Sequence, residues 1–169
     1  MIEQLSSPAK KNLGMFLLIA ALFFGLMLLS SMPVPDSVFT TITGKKIALQ
    51  QLRGKPVLVT FWATDCPSCI DEIPYFIELY NAYHDSGLNI FAIAMVYDPP
   101  SRVVAMTQGK QIPYHVVLDV NSQHAKAFGD VQLTPSTFLI SPEGRLVMKK
   151  VGLLDQPALK TQIETLLKG

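Results

Sequence analysis

The chain contains only two cysteines, Cys66 and Cys69, separated by Pro67 and Ser68. They follow an apolar, β-branched run at 57–63 and open an amphipathic stretch. A cysteine at a helix N-terminus meets unpaired backbone N–H groups and the positive end of the helix dipole, which stabilise thiolate over thiol. The pattern therefore predicts a redox-active pair, with the first cysteine as nucleophile. The second lies one turn inside the helix and resolves the mixed disulfide.

Two structural explanations of the cysteine pair are weaker. In the loop-entropy model, a bridge that closes so few residues stabilises by only about 2 kcal/mol, against almost 5 kcal/mol for a 100-residue loop. A zinc site needs two further ligands, and His84, His115 and His124 are scattered along the chain without metal-binding spacing. The two thiols are therefore expected to act as a pair.

Apolar periodicity and turn residues predict an α/β domain with a central mixed sheet flanked by helices. The cysteines fall where a buried strand gives way to a helix, and Pro67 suits the first turn of that helix. Pro74 is expected to kink it. Expected strands are 56–63, 88–97, 115–118, 137–140 and 145–151, with an N-terminal hairpin at 39–48; expected helices are 66–85, 101–111, 123–128 and 156–167.

Composition excludes some partners and points to a membrane. The formal net charge is only +1, which argues against nucleic-acid binding. The hydrophobic content is 49%, and the excess is concentrated at 13–32. Twenty residues of helix span about 30 Å, the thickness of one bilayer core. We therefore expect a cytoplasmic tail at 1–12, a transmembrane anchor at 13–32, a linker at 33–38 and a folded domain at 39–169.

Flanking charge predicts the orientation of the anchor. Lys10 and Lys11 precede the apolar segment, so the N-terminus is expected in the cytoplasm. In a bacterium, the domain then lies on the periplasmic or extracytoplasmic face of the inner membrane, where disulfide chemistry is possible. A cleaved signal peptide is the alternative, but Pro33 and Pro35 make the sequence after the apolar segment a poor site for signal-peptide cleavage.

The motif and its surroundings resemble a known family. "FWATDCPSC" is similar to the active site of thioredoxin-fold proteins, with Pro74 at the place of that fold's helix proline. The longer stretch at 39–76 and "VQLTPSTFLISPEGRLV" resemble the TlpA/ResA/CcmG group of membrane-anchored thiol-disulfide oxidoreductases, within the AhpC/TSA–Redoxin superfamily. The segment 98–119 fits the group's central insertion. The resemblance implies a thioredoxin-like fold.

The resemblance also implies roles for individual residues. Thr134–Pro135 matches a cis-proline that faces the cysteines and leaves the preceding residue free to bind substrate backbone. Glu72 matches an acidic residue that affects the thiol pKa or shuttles a proton; taken alone, it could also be an exposed carboxylate in a first helical turn. Trp62 matches the aromatic residue below the motif, where packing is the expected role.

Two departures from the family pattern bear on the redox direction. The buried acid of thioredoxin, six residues before the first cysteine, is Thr60 here, which offers no carboxylate. The residue before Cys66 is Asp65 instead of the usual tryptophan, and an adjacent carboxylate opposes thiolate formation. Pro67 and Ser68 add no cation. We therefore expect the pKa of the Cys66 thiol to be lowered less than in a strong oxidant, which favours a reductant.

The resemblance makes a membrane-tethered protein disulfide reductase the leading hypothesis. Its substrates would be apocytochrome c or copper-site cysteines, and a membrane electron donor of the DsbD/CcdA type would restore the dithiol. The Cys66–Cys69 pair needs no further cofactor, and a monomer is expected. A disulfide oxidase or isomerase stays open, because the sequence does not determine redox direction.

Two other functions within the same fold are less favoured. A copper chaperone would hold Cu(I) with the two cysteines and a histidine, either His115 or His124. Such chaperones use a spacing one residue longer, and both histidines are expected at the surface or a sheet edge. A peroxidase would need proline and threonine at the positions of Val59 and Ala63.

Overall fold

A computed structural model describes residues 34–168. The order of elements matches the α/β expectation. The strands are β1 (Val38–Thr40), β2 (Lys46–Ala48), β3 (Val57–Trp62), β4 (Asn89–Ala94), β5 (His115–Leu118), β6 (Ser136–Ile140) and β7 (Leu146–Val151). The α-helices are α1 (Pro67–Tyr83), α2 (Pro100–Gly109), α3 (Gln123–Ala127) and α4 (Gln156–Lys168), with a 3-10 turn at Leu49–Leu52.

The main sheet is mixed, with strand order β5-β4-β3-β6-β7. Strand β3 lies at its centre, parallel to β4 and antiparallel to β6. Trp62 at the end of β3 pairs with Ala94 at the end of β4, and Phe61 pairs with Ser136 at the start of β6. Strand β5 is parallel to β4, and its last residue, Leu118, pairs with Ala94. Five connecting segments therefore meet at one edge of the sheet: 63–66, 95–98, 119–122, 133–135 and 152–154.

Side chains of β3 alternate between two hydrophobic cores, as the period of a strand requires. Leu58 and Trp62 join a cluster formed with α1, α2 and α4, whereas Val59 and Phe61 join a cluster with the β1–β2 hairpin and α3. Every residue of β3 is buried. The second face is covered by the hairpin, whose Phe39 packs on Phe91, and by α3, so helices lie on both faces of the sheet as the sequence predicts.

Helix α1 begins where its sequence predicts. Cys66 is its N-cap residue, and Pro67 occupies the first helical position. Pro74 lies inside the helix, where its missing N–H leaves one carbonyl without the usual partner. The helix ends at Tyr83, two residues before the predicted end at 85, and Gly87 follows with a φ of +113°.

The predicted cytoplasmic tail at 1–12 and membrane anchor at 13–32 lie outside the described residues. Within 34–168, no helix has both the length and the apolar character needed to cross a bilayer.

Candidate active site

Cys66 and Cys69 form a disulfide, with an S–S distance of 2.13 Å. Cys66 is 9% exposed and Cys69 only 3%. The first sulfur is therefore the one that a large substrate can approach, because the second lies deeper against the core. This difference agrees with the predicted division between nucleophile and resolving thiol.

The N-terminus of α1 places a backbone donor and a hydroxyl group next to the sulfur of Cys66. The backbone N–H of Cys69 donates to Cys66 Sγ at 3.3 Å, and Ser68 Oγ lies 3.6 Å from the same sulfur. Asp65, on the other side, is exposed. Donors at a helix N-terminus stabilise negative charge, so a thiolate at Cys66 gains from this position once the disulfide opens.

The predicted cis-proline is present beside the cysteine segment. The Thr134–Pro135 peptide bond is cis, and it immediately precedes β6, whose first residues pair with the end of β3. The Pro135 carbonyl accepts a hydrogen bond of 2.8 Å from the Gly152 backbone N–H. Pro135 is buried and Thr134 half-buried. The segment lies at the same edge of the sheet as the turn before Cys66, because β6 begins beside the end of β3.

Glu72 is a buried carboxyl group beside the cysteines, only 2% exposed. Its Oε1 accepts a hydrogen bond of 2.9 Å from the Leu154 backbone N–H, and its Oε2 has no partner among residues 34–168. Burial raises the pKa of Glu72, and the bond from Leu154 opposes this in part. The alternative of an exposed carboxylate in a first helical turn is therefore wrong.

A small cavity brings the buried groups together. Its lining includes Cys69, Glu72, Thr60, Trp62 and Tyr114. The indole Nε1–H of Trp62 has no hydrogen-bond partner in the described part of the chain, whereas Thr60 Oγ1 lies 3.0 Å from the hydroxyl of Thr137. The carboxyl group next to the resolving cysteine thus comes from α1, not from the central strand.

The histidines considered for copper lie away from the cysteines. His124 is 4% exposed and packs against Phe39, with ring centroids 4.9 Å apart, on the hairpin face of the sheet. The expectation of a surface or edge position is wrong for His124, because the hairpin covers it. His115, half-buried, begins β5. Among residues 34–168, no group of three potential metal ligands converges.

Sequence reasoning missed Asp98, which is only 5% exposed. Its two carboxylate oxygens accept hydrogen bonds from Thr64, two residues before Cys66. The available signal was its place just after β4, at the edge where the loops of the sheet meet. A lone aspartate before two prolines is usually an ordinary turn residue, so the signal was weak.

Comparison with known proteins identifies the family of this arrangement. The model of the family described as Redoxin matches residues 29–167. The chain belongs to the Redoxin family. Curated Redoxin-like relatives include the thiol-disulfide oxidoreductase ResA of Bacillus subtilis, 32% identical over 135 residues, covering 80% of this chain and 74% of the relative. ResA of Geobacillus thermodenitrificans is also 32% identical, with 78% and 75% covered.

A solved structure supports the same assignment. The thiol:disulfide interchange protein of the thioredoxin family from Chlorobium tepidum superposes with a TM-score of 0.74 at 25% identity, covering 81% of this chain and 97% of that one. This Redoxin-family chain therefore has a thioredoxin-like fold and is a thiol-disulfide oxidoreductase. Its redox-active disulfide is Cys66–Cys69.

Proposed function

We propose that this protein is a membrane-anchored, extracytoplasmic reductase of protein disulfides. The observation that carries the proposal is the placement of the Cys66–Cys69 pair at the N-terminus of α1 with buried Glu72 behind it. The more exposed sulfur receives thiolate stabilisation, and the more buried one has an acid–base group in its cavity. This arrangement suits attack on a substrate disulfide by Cys66, followed by attack of Cys69 on the resulting mixed disulfide.

The reaction transfers two electrons to the substrate. The Cys66 thiolate attacks one sulfur of a substrate disulfide, which forms a Cys66–substrate disulfide and releases the other substrate sulfur as a thiolate that takes up a proton. Glu72 then accepts the proton of Cys69. The resulting Cys69 thiolate attacks Cys66 Sγ, which releases the second substrate thiolate. That thiolate takes up a proton, and Glu72 releases the proton it accepted, so that its carboxylate is restored for the next turnover. The products are a substrate dithiol and the Cys66–Cys69 disulfide.

The surface around the site favours a polypeptide substrate. Thr134 and Pro135 directly precede β6, which starts beside the end of β3, and we propose that the Thr134 backbone pairs with an extended substrate chain. Leu133 is 65% exposed, Tyr97 55% and Leu153 63%, and each belongs to a segment at the same edge of the sheet. Exposed apolar side chains around a reactive centre suit an unfolded segment. We propose apocytochrome c or copper-site cysteines as its source.

The catalytic cycle requires an external source of electrons. After each turnover Cys66 and Cys69 form a disulfide, and a second dithiol must reduce it. We propose a membrane donor of the DsbD/CcdA type, reached because residues 13–32 anchor the domain at the extracytoplasmic surface of the inner membrane. The apolar character of that segment and the preceding Lys10 and Lys11 support this placement.

Redox direction is tested by two parallel assays with the full chain. With dithiothreitol as electron source, it should reduce insulin disulfides well above the uncatalysed rate. The oxidised protein should oxidise reduced, unfolded ribonuclease only slowly, because a modestly acidic Cys66 is a poor leaving group. Fast oxidation of ribonuclease with little insulin reduction would reverse the proposed direction and favour an oxidase or isomerase.

A further inference from the structure

The turn that connects β3 to α1 is held by a carboxylate from another part of the chain. Within the turn, the Cys66 backbone N–H donates to the Ala63 carbonyl at 3.2 Å. The Thr64 backbone N–H donates to Asp98 Oδ2 at 2.6 Å, and Thr64 Oγ1 donates to Asp98 Oδ1 at 2.7 Å. Asp98 therefore binds both the backbone N–H and the hydroxyl of a residue only two positions before the nucleophile.

Asp98 is itself fixed in place. Its backbone N–H donates to the Met95 carbonyl at 3.0 Å, just after β4, and Pro99 and Pro100 follow it into α2. The side chain is 5% exposed. Hydrogen bonds to an ionised acceptor are stronger than neutral ones, and a buried carboxylate is costly without donors. Asp98 and Thr64 thus form a short, rigid link between two segments at the active-site edge.

This link matters most when the disulfide is open. In the oxidised protein, the bond to Cys69 holds the sulfur of Cys66. Reduction removes that restraint. The position of Cys66 then depends on the turn and on the first helical hydrogen bond, which the Ile70 backbone N–H donates to the Cys66 carbonyl at 3.2 Å in the oxidised structure. Stabilisation by the helix N-terminus falls off within one turn, so a small displacement of the N-cap residue weakens it.

We propose that Asp98 is a positioning residue: through Thr64, it holds Cys66 at the N-terminus of α1 in the reduced protein and so sustains the reactivity of its thiolate. The inference rests on the proposed role of Cys66 as nucleophile. Asp98 takes no part in bond making. Its effect is to keep the nucleophile where the backbone N–H groups of α1 act on it.

Substitution of Thr64 distinguishes an effect of the position of Cys66 from an effect of the nearby negative charges. The segments that carry or border the cysteines hold four carboxylates: Asp65 in the turn, Asp71 and Glu72 in α1, and Asp98 in the loop after β4. Changes at Thr64 leave all four in place. Thr64→Ala removes the hydroxyl bond to Asp98, whereas Thr64→Ser retains it. Thr161→Ala, at an exposed hydroxyl in α4, is the matched control.

The test is the pH dependence of Cys66 alkylation by iodoacetamide in the reduced full chain, followed by peptide mass spectrometry. We expect Thr64→Ala to raise the pKa of the Cys66 thiol and to slow alkylation at pH 7 by about 3- to 10-fold, since one pKa unit is a tenfold change. Thr64→Ser and Thr161→Ala should stay within about twofold of the parent protein, a change worth less than a third of a pKa unit. An unchanged profile in Thr64→Ala, even with a lower melting temperature, would show a purely structural link and overturn the proposal.

Asp98→Asn gives a second, independent measurement. Removal of a negative charge near Cys66 would by itself lower the pKa of the thiol, whereas loss of one acceptor from the link should raise it. We expect a raised pKa; a lowered one would mean that Asp98 acts through its charge and would contradict the proposal. Iodoacetamide needs no protein substrate, so a failure of the reductase assignment would appear only in the insulin assay.

Discussion

Replacement of Cys66 by serine is expected to lower insulin-disulfide reduction by at least about 100-fold, because the remaining thiol, Cys69, is only 3% exposed. Cys69→Ser should also lose turnover, but for a different reason. Its Cys66 can still attack, and the mixed disulfide then has no internal thiol to resolve it. The two variants therefore have the same steady-state defect and different intermediates.

The aromatic disulfide of Ellman's reagent distinguishes these intermediates. The reduced parent protein should release two thionitrobenzoate ions, one for each cysteine step. Cys69→Ser should release one rapidly and remain covalently modified, whereas Cys66→Ser should react slowly, because Cys69 is only 3% exposed. Rapid attack by Cys66→Ser together with an inert Cys69→Ser would reverse the assignment of nucleophile and resolving thiol.

Glu72→Gln is expected to slow the resolving step by about 100-fold near pH 7, the lower end of the usual effect of losing a general base, which is about 100- to 10,000-fold. Glu72 shares a cavity with Cys69, and burial raises its pKa toward the pH range in which it can exchange protons. Glutamine retains an acceptor for the Leu154 N–H but cannot take up a proton. In stopped-flow measurements with Ellman's reagent, the second phase should slow while the first remains close to the parent rate.

Stability provides the control for this variant. Folding raises the pKa of Glu72 above its unfolded value of 4.5. At a pH between the unfolded and the folded pKa, the folded protein therefore holds a proton on Glu72 that the unfolded chain has released. Stability from this group therefore falls as pH rises through that window. Glu72→Gln should flatten this dependence and should not lower the melting temperature at pH 8.

The exposed Glu78 of the same helix supplies the matched comparison. Glu78→Gln removes an equal charge from α1 without entering the cavity, and both phases should keep the parent rates. Equal slowing by both glutamine variants would assign the effect to net charge, and the proposed proton transfer to Glu72 would be wrong.

The parts of the fold that depend on local signals follow from the sequence. The apolar runs at 57–63 and 88–97 predict the two central strands, because buried strands need continuous apolar residues. Cys66 and Pro67 predict the start of α1, since proline suits the first helical position. These features place the disulfide correctly at the junction of strand and helix.

The features that sequence reasoning missed or left open depend on contacts between distant segments. The burial of Glu72 involves Leu154, 82 residues further along, and an acidic residue at that point of a helix is compatible with solvent. His124 is buried because Phe39, from the hairpin, packs on it. The link between Thr64 and Asp98 spans 34 residues and belongs to no local motif. Such pairings arise from topology, which local patterns do not encode.

The reduction potential of the Cys66–Cys69 couple tests the central claim most directly. The full chain would be equilibrated with glutathione or dithiothreitol redox buffers, and the oxidised fraction measured by thiol labelling. A dedicated reductant should have a potential of about −230 to −270 mV, near that of thioredoxin. A potential of about −120 to −150 mV, close to that of a strong oxidant, would contradict the account and assign the protein to disulfide formation or isomerisation.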